Sequence, residues 1–407
     1  MFVVQYKKSV WKYLLLRTMG RFYKNLYFNR LSPTQLLEIP SPTLPSNKWV
    51  KIKTVLGSVC GSDLKIITCQ GSPYFSPFTS FPFVLGHENV GIIAEVGAEV
   101  SQCSVGDRVV VEPMLHCEVR GVEEYCRSCK DGKYSFCENM TRGCISKGLQ
   151  TGYCHDTGGS WGEYFVAHES QIHVLPSSIS DEEAVLIEPF ATALHAAVKY
   201  CPDPSERVLI YGSGSIGLLV LQALRALGCK NKVVLIVRYS HQADMAKMMG
   251  ADHVLFSDRN LYAQVAEFTQ AQIFVPELGK KVLVGGFDRT FDCVGSSTSI
   301  DDALRFTISA GTVVLVGMPG IAKGIDWTSA WYKELKVLGS YCYGWENLPK
   351  GQIKTFDLAI DLIKQKKVDL ASFITHRFPI REYRSAMKML LGSKEQTKVI
   401  KVAFSFS

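Results

Sequence analysis

The sequence predicts an α/β chain in two parts, a β-rich domain followed by a doubly wound parallel sheet. Three observations predict it. Short apolar runs punctuated by Gly and Pro fill residues 36–112, the pattern of closely spaced strands. Residues 208–211, VLIY, pass straight into GSGSIG at 212–217 and then into an apolar helical repeat that ends at Gly228. From residue 233 to 317, strand-like and helix-like stretches alternate, as a parallel sheet with right-handed crossover helices requires.

At 407 residues the chain has room for two or three domains of about 100 to 200 residues each. Hydrophobic residues make up 47% and charged residues 20%, values of a soluble globular protein rather than a disordered one. The formal charge of +7 is concentrated in the first thirty residues, where Lys7, Lys8, Lys12, Arg17, Arg21, Lys24 and Arg30 face no acid. The remainder is nearly balanced, so no nucleic-acid partner is expected. No run of eighteen apolar residues occurs, and no membrane partner is expected either. Thirteen cysteines without a secretion signal point to metal ligation or free thiols in a reducing, cytoplasmic setting. The basic, acid-poor opening fits a transit peptide, but FVVQY reads better as a first strand followed by a basic insert.

In the first part, residues 50–55 alternate as a strand and lead into VCGSDLK, residues 59–65, where Cys60 is a thiolate donor. Residues 81–97, FPFVLGHENVGIIAEVG, place His87 and Glu88 on an apolar run. Alone, that pair reads as a hydrogen-bonded strand end. Cys60 upstream and Glu188 downstream, in LIEPFATALHA, change the reading. Thiolate, imidazole and carboxylate form a donor set suited to zinc, and three protein ligands with an open fourth position describe a catalytic site. Ser180 followed by three acids predicts the start of a helix leading to Glu188.

Residues 117–137, CEVRGVEEYCRSCKDGKYSFC, have too little apolar surface to fold alone. Four thiolates around a second zinc would supply a core, with Cys126, Cys129 and Cys137 as ligands and Cys117 the inferred fourth. Cys144 and Cys154 stand in reserve. A redox-active CxxC pair is the competing reading, without the βαβ context that it needs. Nucleic-acid binding by a zinc ribbon is disfavoured, because Glu118, Glu123, Glu124 and Asp131 are mixed with the bases.

In the second part, Gly212, Ser213, Gly214, Ser215, Ile216 and Gly217 sit between strand and helix and read as a dinucleotide pyrophosphate loop. The strand after it, residues 233–237, ends at Arg238 where an acid would hold ribose hydroxyls. An arginine there pairs with a 2′-phosphate and favours NADP over NAD, unless it is only an exposed strand-end residue. Strands over 291–295 and 312–317 end at Gly295 and Gly317, two further cofactor candidates.

Taken in order, VCGSDL, GHExxG, the cysteine cluster, IEPxATALH and GSGSIG resemble the zinc-dependent medium-chain dehydrogenases, particularly the sorbitol and threonine dehydrogenase branch. The resemblance covers about residues 50–344. It implies a GroES-like catalytic domain (1–178, with a zinc lobe at about 113–145), a Rossmann domain (179–344) and a C-terminal segment (345–407) returning to the first. It also implies hydride transfer between an alcohol or carbonyl substrate and NAD(P), with zinc as Lewis acid. Cys60 and His87 become zinc ligands, and Glu88 and Glu188 share the remaining position. Asp63 orients His87, Ser62 accepts the substrate proton, and Thr192 lies at the nicotinamide. Lys65 stands where many relatives carry a proton-relaying histidine, which leaves the relay route open. The family forms homodimers or homotetramers. A catalytically silent NADPH-binding scaffold is the alternative reading.

Overall fold

In the computed structural model, which describes residues 1–349, 351–392 and 397–406, the chain divides into two compact units. The first comprises Met1–Glu188 and Tyr343–Ser407, the second Pro189–Cys342.

The first unit opens on β1 (Phe2–Tyr6), which pairs antiparallel with β2 (Thr34–Glu38). Between them the basic insert forms helix α1 (Val10–Met19), pinned by Leu16 and Tyr27 to a core that includes Ile67, Cys69 and Leu390. The spine of the main sheet is β3 (Trp49–Ser58), followed by α2 (Gly61–Ile67) and the short β4 (Phe83–Val84), which returns to β1. β3 pairs antiparallel with β5 (Asn89–Val96), and β5 with β6 (Arg108–Val111). The cysteine-rich loop carries one short helix, α3 (Arg127–Lys130). β7 (Tyr164–His168) then joins β3, and β8 (Ile172–Val174) joins β6. Alternate residues of these strands, Val50, Ile52, Ile93, Val109, Val111 and Phe165, meet in one core.

The helix that starts at Ser180 stops short of Glu188, where a second helix opens. Ser180 caps α4 (Asp181–Ala184), its Oγ accepting from Glu183 N while the Glu183 carboxylate accepts from Ser180 N at 2.8 Å. The chain then restarts as α5 (Ile187–Lys199). Pro189 explains the break: with no N–H to donate, it belongs in a first turn, where the donor is not needed.

In the second unit β9 (Val208–Tyr211), α6 (Ser215–Ala226), β10 (Val233–Val237), α7 (Ser240–Met248), β11 (His253–Phe256) and α8 (Leu261–Thr269) alternate. A hairpin of β12 (Gln272–Phe274) and β13 (Val282–Val284) precedes β14 (Phe287–Asp292), α9 (Ser297–Phe306), β15 (Thr307–Leu315), α10 (Thr328–Tyr332) and β16 (Lys336–Gly339). The parallel order is β11-β10-β9-β14-β15-β16, so the winding reverses between β9 and β14. That reversal opens a crevice at the carboxyl ends of those strands, the place where such sheets bind ligands. Both β14 and β15 begin earlier than the sequence predicts and stop before Gly295 and Gly317. Asp292 is the reason: its carboxylate accepts from Val294 N and Gly295 N, and its carbonyl from Val316 N and Gly317 N, turning both chains out of the ladder.

The chain returns to the first unit through the hairpin β17 (Trp345–Leu348) and β18 (Gly351–Lys354), then α11 (Thr355–Lys364), β19 (Ile374–Pro379), α12 (Tyr383–Leu390) and β20 (Lys401–Ser405). β20 inserts between β19 and β3, completing the main sheet.

Candidate functional site

β3 ends at Ser58 and the chain turns into α2, with Cys60 at its N-cap: Cys60 N donates to Asp63 Oδ2 at 2.9 Å. Opposite, the GHE loop is held by residues 160 and 161. Ser160 N donates to Gly86 O and Trp161 N to Leu85 O, both at 2.9 Å, and Ser160 Oγ donates to Glu88 O at 2.7 Å. Gly86 is required there: φ is +95°, and a Cβ would stand 2.7 Å from the Trp161 backbone nitrogen. These two supports bring Cys60, His87 and Glu88 together, with one potential ligand atom of each within 4.8 Å of the others.

His87 Nδ1 stands 3.6 Å from Asp63 Oδ1, beyond hydrogen-bond length, and neither atom has a hydrogen-bond partner among the described residues. The Ser62 hydroxyl is likewise buried without one. Lys65 lies on α2, half-buried. Glu188, on α5, lies outside the three-residue group but feels it: burial pushes its carboxyl up to about 8, with His87 opposing the rise and Glu88 and Cys60 adding to it. Burial, aided by Glu88, pushes the Cys60 thiol up to about 12, and burial pushes Asp63 up to about 6. Four acidic groups are thus buried together. A divalent cation is the chemistry that balances such a set, so these residues fit zinc.

One cation is already present, and sequence reasoning missed it. Lys401 Nζ, 4% exposed on β20, lies 2.6 Å from Glu88 Oε1, and the other Glu88 oxygen accepts from Ser58 Oγ. Burial lowers the lysine's affinity for its proton, but Glu88 and Cys60 more than offset this and hold it above its ordinary value. Glu88 is therefore engaged on both oxygens by protein. No local pattern in residues 398–404 announces this, since the partner is 313 residues away.

The cysteine-rich loop also closes. Cys117, Cys126, Cys129 and Cys137 place their sulfurs within 4.8 Å of one another, with Cys117 supplying the fourth corner. Nitrogen donors surround them: Cys126 N and Asn139 Nδ2 aim at Cys117 Sγ (3.4 and 3.3 Å), Glu138 N at Cys126 Sγ and Asn139 N at Cys137 Sγ (both 3.4 Å). Within the quartet Cys129 holds Cys137 down, to about 6, while Cys137 and burial hold Cys129 well up and burial holds Cys117 up, so the one thiolate at Cys137 is shared among neighbouring thiols until a cation binds. The quartet fits a structural zinc. Cys144 is exposed, and Cys154 donates to Ser146 O instead.

In the second unit the GSGSIG loop leaves the end of β9. Gly212 has φ +103°, and a Cβ at Gly217 would stand 1.8 Å from Gly212 O, so helix and strand approach there without a side chain. A Cβ at Gly214 meets nothing within 4 Å. Space is kept above Gly214, at the N-terminus of α6, and not below it. Ser213 is buried and bonds Gln242 Oε1 at 3.1 Å, while Ser215 and Ile216 begin α6. Gly295 and Gly317 touch backbone to backbone, a Cβ on Gly317 falling 2.5 Å from Gly295 N. Arg238 is exposed at the end of β10, its guanidinium over the Tyr239 ring at 5.5 Å. Thr192 is half-buried on α5, one turn beyond Glu188. The open loop and helix terminus fit a dinucleotide pyrophosphate.

Residues 46–177 match the family description "Alcohol dehydrogenase GroES-like domain", and residues 215–364 match "Zinc-binding dehydrogenase". The L-idonate 5-dehydrogenase of Vitis vinifera is 30% identical over 89% of this chain and 88% of its own length. Sorbitol dehydrogenase of Arabidopsis thaliana is 31% identical over 89% of each. The crystal structure of galactitol-1-phosphate dehydrogenase from Escherichia coli shares the fold, with a TM-score of 0.73 over 100% of both chains at 23% identity. Two zinc-suited donor sets in a GroES-like unit, a Rossmann sheet with an open glycine loop, and relatives of this similarity place the chain in the zinc-dependent medium-chain dehydrogenase family, in its sorbitol and threonine dehydrogenase branch, as an NAD(P)-linked oxidoreductase.

Proposed function

We propose that the first unit oxidises the hydroxyl-bearing carbon of a polyol, secondary alcohol or amino alcohol, and reduces the corresponding carbonyl in reverse, with NADP preferred over NAD. The observation that carries the reading is the convergence of Cys60 and His87 beside two buried glutamates. Zinc, when bound, acts there as a Lewis acid on the substrate oxygen. Cys60 and His87 hold the ion. Because both Glu88 oxygens are taken by Lys401 and Ser58, Glu188 is the carboxylate that completes the set, and Glu88 sets its charge from behind.

Asp63, 3.6 Å from His87 Nδ1, would orient the ring through that nitrogen by charge and leave Nε2 for the metal. Ser62, whose hydroxyl lacks a partner among the described residues, takes the proton from the substrate alcohol. Lys65, three residues on, lies on the same face of α2, and because an ammonium has no lone pair the proton leaves through water rather than onto it. A nicotinamide, when bound, would accept hydride from the adjacent carbon, and Thr192 would pack against its ring. Gly212 to Gly217 carry the pyrophosphate, Gly295 and Gly317 line the crevice, and Arg238 pairs with the 2′-phosphate. The quartet Cys117, Cys126, Cys129 and Cys137 holds a structural zinc. We further infer a homodimer or homotetramer working in the cytoplasm, a reducing setting that suits thirteen cysteines of which none is in a disulfide. β16 is an outer strand that carries exposed Leu338 and follows exposed Trp331 and Tyr332.

The test is a screen of sorbitol, threonine and simple secondary alcohols against NADP⁺ and NAD⁺, before and after chelation, with zinc counted per chain. About two zincs are expected, one per donor set. Cys60→Ala should leave one and abolish turnover. A count of one that Cys60→Ala does not change, with no alcohol turned over, would establish the silent scaffold. Arg238→Asp should lower kcat/KM for NADP⁺ by about tenfold to a hundredfold, the worth of a charge-assisted contact, and spare NAD⁺.

A further inference from the structure

The basic insert between β1 and β2 has two faces. Leu16 is fully buried and Tyr27 is 4% exposed, and together they fasten it to the first unit. The other face is bare: Val10, Trp11 and Leu14, on adjoining turns of α1, are 65%, 58% and 54% exposed. After the helix, Phe22 and Tyr23 are 66% and 61% exposed and line a recess with Arg21 and Lys24. Lys12 lies over the Trp11 ring at 5.7 Å and Arg21 over the Phe22 ring at 4.7 Å, and the segment carries seven lysines and arginines with no acid before Glu38.

We propose that this face docks on an anionic lipid surface, with Trp11, Leu14 and Phe22 entering the headgroup layer and the neighbouring cations meeting lipid phosphates. Rings and aliphatic side chains interspersed with Lys and Arg are the composition that lies in a membrane interface without crossing it. Charge complementarity selects the occupant. Two copies of an acid-free basic patch repel each other, which disfavours self-association through this face. A nucleic acid would reward the flat rings by stacking but gain nothing from Val10 and Leu14, whereas acyl chains reward both. The sequence expectation of no membrane partner rested on the lack of a spanning segment. No described helix is long and apolar enough to cross a membrane, and lying on one needs only this face.

The experiment is flotation of the full chain with vesicles of phosphatidylcholine alone and of phosphatidylcholine with phosphatidylserine, at low and high salt. Expected is binding to the anionic vesicles only, weakened by salt as exposed charges are screened. Trp11→Ser with Leu14→Ser, and separately Lys7→Glu with Arg21→Glu, should each abolish flotation. All four side chains are exposed or nearly so, and unchanged melting temperature and zinc content would show both variants folded. Each cation removed should cost about fivefold in affinity. Equal binding to neutral vesicles, retention of binding in either variant, or no binding by the parent chain would overturn the proposal. So would variants that change only binding to a single-stranded oligonucleotide or only the oligomeric state. None of these readouts depends on turnover, so the proposal stands or falls separately from the dehydrogenase reading.

Discussion

Glu88 and Lys401 form a buried ion pair whose partners are 0% and 4% exposed. Breaking one side of such a pair strands the other charge, a loss of about 3–5 kcal/mol. Lys401→Met should therefore shift urea unfolding by that amount, and adding Glu88→Gln should recover part of it. An additive double variant would show that the two side chains do not sense each other. At this scale the sequence was readable in part. Cys60, His87 and the quartet announce themselves because thiolates and imidazoles at metal spacings have few other uses. Glu88 was equally visible but its engagement was not, because a lysine on a strand looks like any exposed lysine until the sheet closes over it.

At the scale of elements, the loop after β9 separates two kinds of glycine. Gly217→Ala should destabilise the second unit, since its Cβ would overlap Gly212 O. Gly214→Ala meets open space and should leave the melting temperature unchanged while weakening dinucleotide binding, measured by fluorescence titration. Equal effects on melting from both would contradict this assignment. The cysteine loop gives a second comparison. Removing zinc, or Cys129→Ser, should expose residues 117–137 to protease and leave the second unit's melting unchanged. Strand, glycine loop and helix were legible here because period and punctuation agree. The division of residues 180–199 into two helices was legible too: Ser180 caps the first, and Glu188 before Pro189 opens the second.

At the scale of the whole molecule, the first unit is made from both ends of the chain, and a histidine helps to join them. His173, on β8, lies 2.9 Å from Asp357 of the returning α11 and 3.5 Å from Glu112. Burial opposes its protonation, but the two carboxylates prevail and hold it above the ordinary imidazole value. Asp357 and Glu112 are held below the ordinary carboxylate value. The imidazolium's contribution is complete below the unfolded value of about 6.5 and is lost as pH rises through the raised one. The carboxylates' contribution is present above their unfolded values and is lost as pH falls through their lowered ones. His173→Gln should flatten the decline of unfolding free energy between mildly acidic and mildly alkaline pH, and an unchanged slope would refute this. The joining of distant ends has a further outcome during synthesis. When the ribosome has made residues 1–188, Glu88 has no lysine and the flank of β3 that later receives β20 is open. Such an unpaired strand edge invites association with other chains. The nascent first unit must therefore be held back from its neighbours while the whole second unit emerges, and a chain released before Lys401 is predicted to aggregate rather than fold.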